Sequence, residues 1–301
     1  MIYDCFTFFN ELDILELRLN ILYKYVDKFV IVEGNKTHTG KDKEFIFEQN
    51  KNRFEKFLDK IIYIKVEDFP SLENSQTSED GNKWLYENYQ RDAIMRGLTE
   101  CKDDDIIITS DCDEIINPKI LKKYKKGIYS LMQYRFKYNY NTLVVNVPFS
   151  KSARICRYSE LIDPKKEVKE RHLKFCKYSK YGLPTYLRFV KAKKMKNAGW
   201  HFGYIGDIEF IKKKMNAIAE QHCNPTKYMD DDAIKQGIDN GEDIIKCGER
   251  FVNLKIDKNF PQYFVENQEK YKENISYKNQ ISLFKSNLKS FIIKITGRKN
   301  G

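Results

Sequence analysis

The order of strand and helix signals in the first 110 residues constrains this chain more than any other feature. Four short apolar runs recur: Ile2 to Phe9, Lys28 to Glu33, Lys60 to Val66 and Asp105 to Thr109. Their apolar residues are nearly continuous rather than alternating, the pattern of strands buried on both faces. Between them lie three segments of helical character. Leu12, Leu15, Leu19 and Leu22 repeat at helical spacing, Asn50 to Leu58 follows, and Lys83 to Leu98 carries Trp84, Tyr86, Tyr89, Arg91 and Arg96. Strand and helix in alternation predict an α/β fold, a Rossmann-like, mainly parallel sheet with helices on both faces. Such sheets bind ligands beyond the carboxyl ends of their strands. Glu33, the loop holding His38, and Asp111 to Glu114 all fall at such ends.

The fourth run ends in Thr109-Ser110-Asp111-Cys112-Asp113-Glu114. In extended chain, residues two apart point the same way, so Asp111 and Asp113 can face one ligand. Hard divalent ions take oxygen ligands, typically one or two carboxylates together with substrate phosphates. An Mn²⁺ or Mg²⁺ ion at Asp111 and Asp113 would therefore suit a nucleoside diphosphate leaving group, whose developing charge it stabilises. A calcium loop of the EF-hand type is a weaker reading, because Ile116 stands where that loop needs glycine. A phosphatase with an aspartyl nucleophile also places acids after a strand, and stays open as an alternative.

Further candidates surround this motif. Arg91, on the helix before the fourth strand, has the bidentate geometry for a diphosphate; it or Arg96 otherwise packs the helix. His38 is either a nucleotide or sugar contact or an exposed loop residue. Trp200 and His201 lie in a glycine- and aromatic-rich segment, Asn197 to Gly206. There Trp200 can stack on a sugar or base, and His201 either ligates the metal or packs inside an aromatic strand. Glu11, Glu16 and Arg18 suggest a buried ion pair or a donor contact. Asp230-Asp231-Asp232 reads as a helix cap or solvated turn.

The second half is less regular. Strands are predicted over Ile128 to Tyr140, Leu143 to Pro148, Ser152 to Tyr158, Leu187 to Lys191 and Gly199 to Ile205, and a helix over Asp207 to Ala219. The formal net charge is +11, which favours anionic partners such as nucleotide phosphates, nucleic acid or an anionic membrane. From 151 to 196 there are 15 Lys/Arg against 4 Asp/Glu, without a nucleic-acid-binding motif. From Gln280 to Ile295, Phe284, Leu288, Phe291, Ile292 and Ile295 share one helical face, a basic amphipathic helix suited to packing or to anionic lipid. Seven cysteines without a CxxC pair argue against a zinc ribbon, and with no signal peptide they suggest reduced thiols and a cytoplasmic location, peripheral to the membrane if the tail binds it.

Several of these segments, in order, resemble glycosyltransferase family 17: Asp4 to Glu11, Leu15 to Arg18, Phe29 to Glu33, Thr37 to Gly40 with Lys43, Ile107 to Ile115, and Gly199 to Phe202. The resemblance implies a GT-A type fold, an inverting mechanism, UDP-GlcNAc as donor and Mn²⁺ as cofactor. It places the family's acidic metal motif on Asp111 and Asp113 and gives Glu33, His38, Trp200 and His201 characteristic positions. The expected organisation is a single domain over 1–270, with a nucleotide-sugar half (1–118), an acceptor half (119–270) and the tail 271–301. The expected reaction is one displacement, a glycan hydroxyl attacking the anomeric carbon while a carboxylate takes its proton. Asp207, Glu209 and Glu114 are the candidate bases. The competing readings are the phosphatase and a non-catalytic polyanion- or membrane-binding protein.

Overall fold

The computed structural model describes residues 1–71, 79–162, 187–188, 192–217, 224–227 and 229–287. They form two compact units. The first comprises 1–132, 151–198 and 217–219; the second comprises 133–150, 199–216 and 220–301.

The first unit is built on four parallel strands, β1 (Ile2–Phe8), β2 (Lys28–Gly34), β3 (Ile61–Val66) and β4 (Ile106–Asp111). β1 lies between β2 and β4, with Cys5 opposite Val30 on one side and Thr109 on the other, and β3 flanks β2. These are the four apolar runs; burial on both faces explains the composition of β1, β2 and β4, whereas β3, at the end of the strand order, is mostly half-buried. Cys5, Val30, Val32, Ile94, Leu98 and Ile107 form one core beneath the sheet's helical cover. Fully burying a Val, Ile or Leu side chain contributes roughly 1.5–3 kcal/mol.

The helices between the strands follow their periodicity. α1 (Leu12–Leu22) buries Leu15, Leu19 and Leu22, and also Arg18. A single turn, α2 (Ile46–Gln49), precedes a 3₁₀ segment, Lys51–Lys60, where the sequence suggests ordinary helix. α3 (Glu79–Asp92) gives way to a 3₁₀ turn over Ala93–Gly97. That turn lies against β2. A β-carbon at Gly97 would sit 2.5 Å from Val30 Cγ1, so only glycine permits the approach.

The parallel order stops at β4. After the short strand β5 (Glu114–Ile116), β6 (Tyr129–Lys137) runs from the first unit into the second. Two hairpin strands follow, β7 (Thr142–Val144) and β8 (Phe149–Ser150), and then β9 (Arg154–Arg157) returns antiparallel against β4, pairing Ile108 with Ile155. In the second unit β6 pairs antiparallel with β7 and β8, and β7 with β11 (Phe251–Asn253). The sheet is therefore mixed, and the expectation of a mainly parallel one holds only for β1 to β4. Short connections such as the one after β6 can join only antiparallel neighbours.

Two further expectations change. Leu187 and Arg188 are helical rather than the start of a strand, since a short apolar run alone does not separate the two. Residues 283–287 are helical, but Ile281 is extended, bridging to Leu254; residues 288–301 lie outside the described set. Most of the basic segment after Ile162, with His172 and His222, also lies outside it. α4 (Tyr158–Ile162) completes the first unit, and the remaining elements are β10 (Lys193–Gly203), whose chain passes from the first unit to the second, and α5 (Ile208–Ala217) and α6 (Asp231–Asn240) of the second. Asp230 caps α6 by accepting from Ala233 N–H at 2.8 Å, as its acidic run suggests. Phe136, Tyr140, Phe202, Phe260, Phe264 and Tyr271 pack ring against ring in this unit. Among the described residues no helix is long and apolar enough to cross a membrane.

Candidate active site

Asp111 is the last residue of β4, opposite Thr7 of β1, so the acidic motif begins where two central strands end. The turn after it is fastened on several sides. Cys112 N–H donates to Thr7 O at 3.1 Å, and Asp111 N–H donates to Glu114 Oε2 at 3.2 Å. Glu114 is fully buried, Asp113 nearly so, and the Cys112 thiol points inward. Asp111 alone of the four keeps a substantial exposed edge.

α3 brings the cations. Gln90 donates to Phe8 O and Val32 O, spanning the carboxyl ends of β1 and β2 with one side chain. That anchor sets its neighbours on the helix. Arg91 donates to Asp111 Oδ1 at 2.6 Å and to Glu87 Oε1 at 3.2 Å. Arg188 closes the same group, donating to Glu87 Oε1 at 2.5 Å and Asp111 Oδ2 at 3.1 Å. Its own main-chain oxygen accepts from Arg154. His38 Nδ1 stands 3.9 Å from Glu87 Oε2. Two carboxylates and two guanidiniums thus form a closed square at the strand ends, with His38 beside it.

The charges set one another. Burial pushes the Glu87 carboxyl up, but Arg188, His38 and Arg91 outweigh it and hold it below the usual range. Burial and the Arg91 charge, against Glu87 and Asp111, bring His38 below the ordinary histidine value, so it is neutral at pH 7. Burial alone would lower Arg188; Asp111, Glu87 and Glu114 reverse that and raise it. Burial pulls Arg154 down to about 10 despite Glu114, with Arg188 adding to the fall.

Other sequence candidates are placed differently. Glu33, at the end of β2, is fully buried, and its oxygens accept from Lys43 Nζ, Ile46 N–H, Phe47 N–H and Tyr63 Oη–H. It fixes the start of α2 and the end of the His38 loop. Arg96 pairs with Asp68. Arg18 makes the anticipated buried ion pair, but with Asp4 of β1 rather than with Glu11 or Glu16. Trp200, His201, Asp207 and Glu209 belong to the second unit. Trp200 is buried and donates from Nε1 to Asn259 O at 3.0 Å. His201 is half-buried. Asp207 is exposed and caps α5 through Phe210 N–H at 2.7 Å; Glu209 is exposed in the helix's first turn. The structure also adds Glu87 and Arg188 to the site. The Glu87–Arg91 spacing, four residues apart on one helix, was the available signal for the first.

A divalent ion fits the chemistry of Asp111 and Asp113, two carboxylates of the hard oxygen class that takes its remaining ligands from phosphate. Those two carboxylates would give only part of a shell: among the described residues no group of three or more His, Cys, Asp or Glu side chains is set to hold a metal.

The family model for glycosyltransferase family 17 matches residues 1–159, over half of the chain. The protein belongs to glycosyltransferase family 17. The matched stretch contains Glu33, His38, Glu87, Arg91 and the whole acidic turn, whereas Arg188, Trp200, His201, Asp207 and Glu209 lie beyond it. Two curated relatives, from Homo sapiens and Rattus norvegicus, are named beta-1,4-mannosyl-glycoprotein 4-beta-N-acetylglucosaminyltransferase. Each is 31% identical to this family-17 chain over 113 residues, covering 35% of this chain and 20% of the relative. The match thus spans about a fifth of those relatives' length. Among solved structures, a match to the inositol-1-phosphate CTP transferase from T. maritima covers 87% of this chain and 84% of that one, at 10% identity and a TM-score of 0.31.

Proposed function

We propose that this protein is a metal-dependent, inverting glycosyltransferase of GT-A type that transfers GlcNAc from UDP-GlcNAc to a hydroxyl of a glycan acceptor, in the synthesis of a surface polysaccharide or glycoconjugate. The observation that carries this reading is the Asp111 carboxylate at the end of β4, met by Arg91 and Arg188, in a family-17 chain. The names of the partial relatives support GlcNAc as the sugar.

In this reading Asp111 and Asp113 hold the divalent ion, and that ion supplies charge neutralisation at the leaving diphosphate. Arg91 and Arg188 bind diphosphate oxygens; the buried Nε–H of Arg91 has no acceptor among the described residues and is available to one. Neutral His38 donates to the nucleotide or sugar without adding charge. Glu33 acts at one remove, by fixing the His38 loop. Of the base candidates, Glu114 is sealed and bonded to Asp111 N–H, while Asp207 and Glu209 are exposed on the second unit.

The test is a thermal-shift panel of UDP, UDP-GlcNAc and other nucleotide sugars, each with and without Mn²⁺. A ligand present at about 100 times its Kd raises stability by about 2.7 kcal/mol, a clear shift. UDP-GlcNAc with Mn²⁺ is expected to give the largest rise. No response to any nucleotide, with phosphate released from simple phosphoesters, would replace this reading with the phosphatase.

A further inference from the structure

Arg18 is the largest fully buried side chain of the described residues, and its five N–H groups are all committed. Nε and Nη2 grip both oxygens of Asp4 at 2.8 and 2.6 Å. The second Nη2 hydrogen reaches Ser110 Oγ at 2.7 Å. Nη1 donates to three main-chain oxygens of the acidic turn: Asp111 at 2.8 Å, Cys112 at 3.1 Å and Glu114 at 3.2 Å. The guanidinium lies 4.1 Å above the Phe6 ring. Asp4, which orients it, is on β1 and has no solvent exposure.

A pair buried for stability alone would be a poor investment of two charges, since apolar residues of similar volume do as well or better. Here the geometry performs a second task. Three consecutive-turn carbonyls converge on one planar donor, and the residues that own them bracket Asp113. We infer that Arg18, oriented by Asp4, is a positioning residue that sets the backbone of the Asp111–Glu114 turn in the conformation that receives the metal–nucleotide complex. It touches neither ligand. Asp4 aims the guanidinium, the guanidinium holds the carbonyls, and the carbonyls fix where the Asp111 and Asp113 side chains emerge. Lysine cannot substitute, because a single ammonium that pairs with Asp4 lacks the second, divergent set of donors.

This inference rests on the proposed function for its ligand, and the experiment separates the two. Arg18→Lys keeps the buried charge pair, and the double variant Asp4→Leu/Arg18→Met removes both charges together. Each is compared with the wild-type chain for UDP binding with Mn²⁺ by calorimetry, for the Mn²⁺ dependence of UDP-GlcNAc hydrolysis, and for amide exchange at residues 111–115 against Val30 and Val32 of β2. A hydrogen bond to a charged group is worth about tenfold or more. Both variants are therefore expected to bind UDP–Mn²⁺ about tenfold more weakly, to regain hydrolysis at raised Mn²⁺, and to exchange faster at 111–115 while β2 stays protected. Unchanged Mn²⁺ dependence and unchanged exchange at the turn in a folded variant overturn the inference. So does a chain that folds in neither form, which would make the pair a requirement of the fold. If the wild type binds no nucleotide, the functional reading fails instead, and amide exchange still decides whether Arg18 holds the turn.

Discussion

Two aspartates of the first unit, Asp4 and Asp111, meet arginine with the same chemistry and opposite character. Asp4 and Arg18 are both 0% exposed, and every donor of the arginine is spent inside the protein. Asp111 is 31% exposed and meets Arg91 at 5% and Arg188 at 24%. The first pair ties α1 to the interior of β1, and the second sits at the end of β4. What differs is exchangeability. A sealed pair can only hold its neighbours, whereas a half-open carboxylate shared by two guanidiniums can trade partners with an arriving cation and anion.

Substitutions should separate the two pairs, the sealed one first. Arg18→Met alone leaves Asp4 charged and uncompensated, and denaturant unfolding should show a loss of about 3–5 kcal/mol. Asp111→Asn should do the reverse: Mn²⁺-dependent hydrolysis of UDP-GlcNAc falls by about 10²–10³, the scale of removing one transition-state charge contact, while the melting temperature moves little. If Asp111→Asn unfolds the chain as readily as Arg18→Met does, the open pair is structural and the distinction fails. Arg188→Ala should weaken UDP binding by about tenfold, with reduced salt dependence, because one charge-assisted contact is lost and Glu87 and Asp111 keep Arg91.

The smallest effect sharpens the comparison through pH. The folded-state pKa of Glu87 is depressed, so its contribution is present above its unfolded value near 4.5 and is lost as pH falls through the lower folded value. His38 is also depressed: unfolding takes up its proton first, so stability is full above about 6.5 and declines as pH falls from there toward the folded value. Between pH 7.5 and 5.5 the wild type should lose about 1–3 °C in melting temperature. His38→Gln should flatten that window, and Glu87→Gln the more acidic one.

How much of this was legible follows from what each signal encodes. β1 to β4 and α1 were readable because buried parallel strands are continuous apolar runs and Leu12, Leu15, Leu19 and Leu22 keep helical period. Strand direction beyond β4 was not, since Arg154–Arg157 carries the same apolar character whether it runs with β4 or against it. Asp111 and Asp113 were legible from their place after a strand. Arg188 was hidden in a lysine-rich stretch, and only folding selects one cation among fifteen. Asp4 was hidden differently: it interrupts an apolar run, and its partner is fourteen residues away on another element.

The inward thiol of Cys112 has a practical consequence. An alkylating reagent has no path to the centre of the acidic motif, nor to Cys5 or Cys156, which are equally sealed, while Cys247 of the second unit is exposed. Among the described cysteines, then, Cys247 is the natural handle for a fluorophore or spin label. A probe there would report on the second unit while the carboxylates at the end of β4 remain chemically untouched.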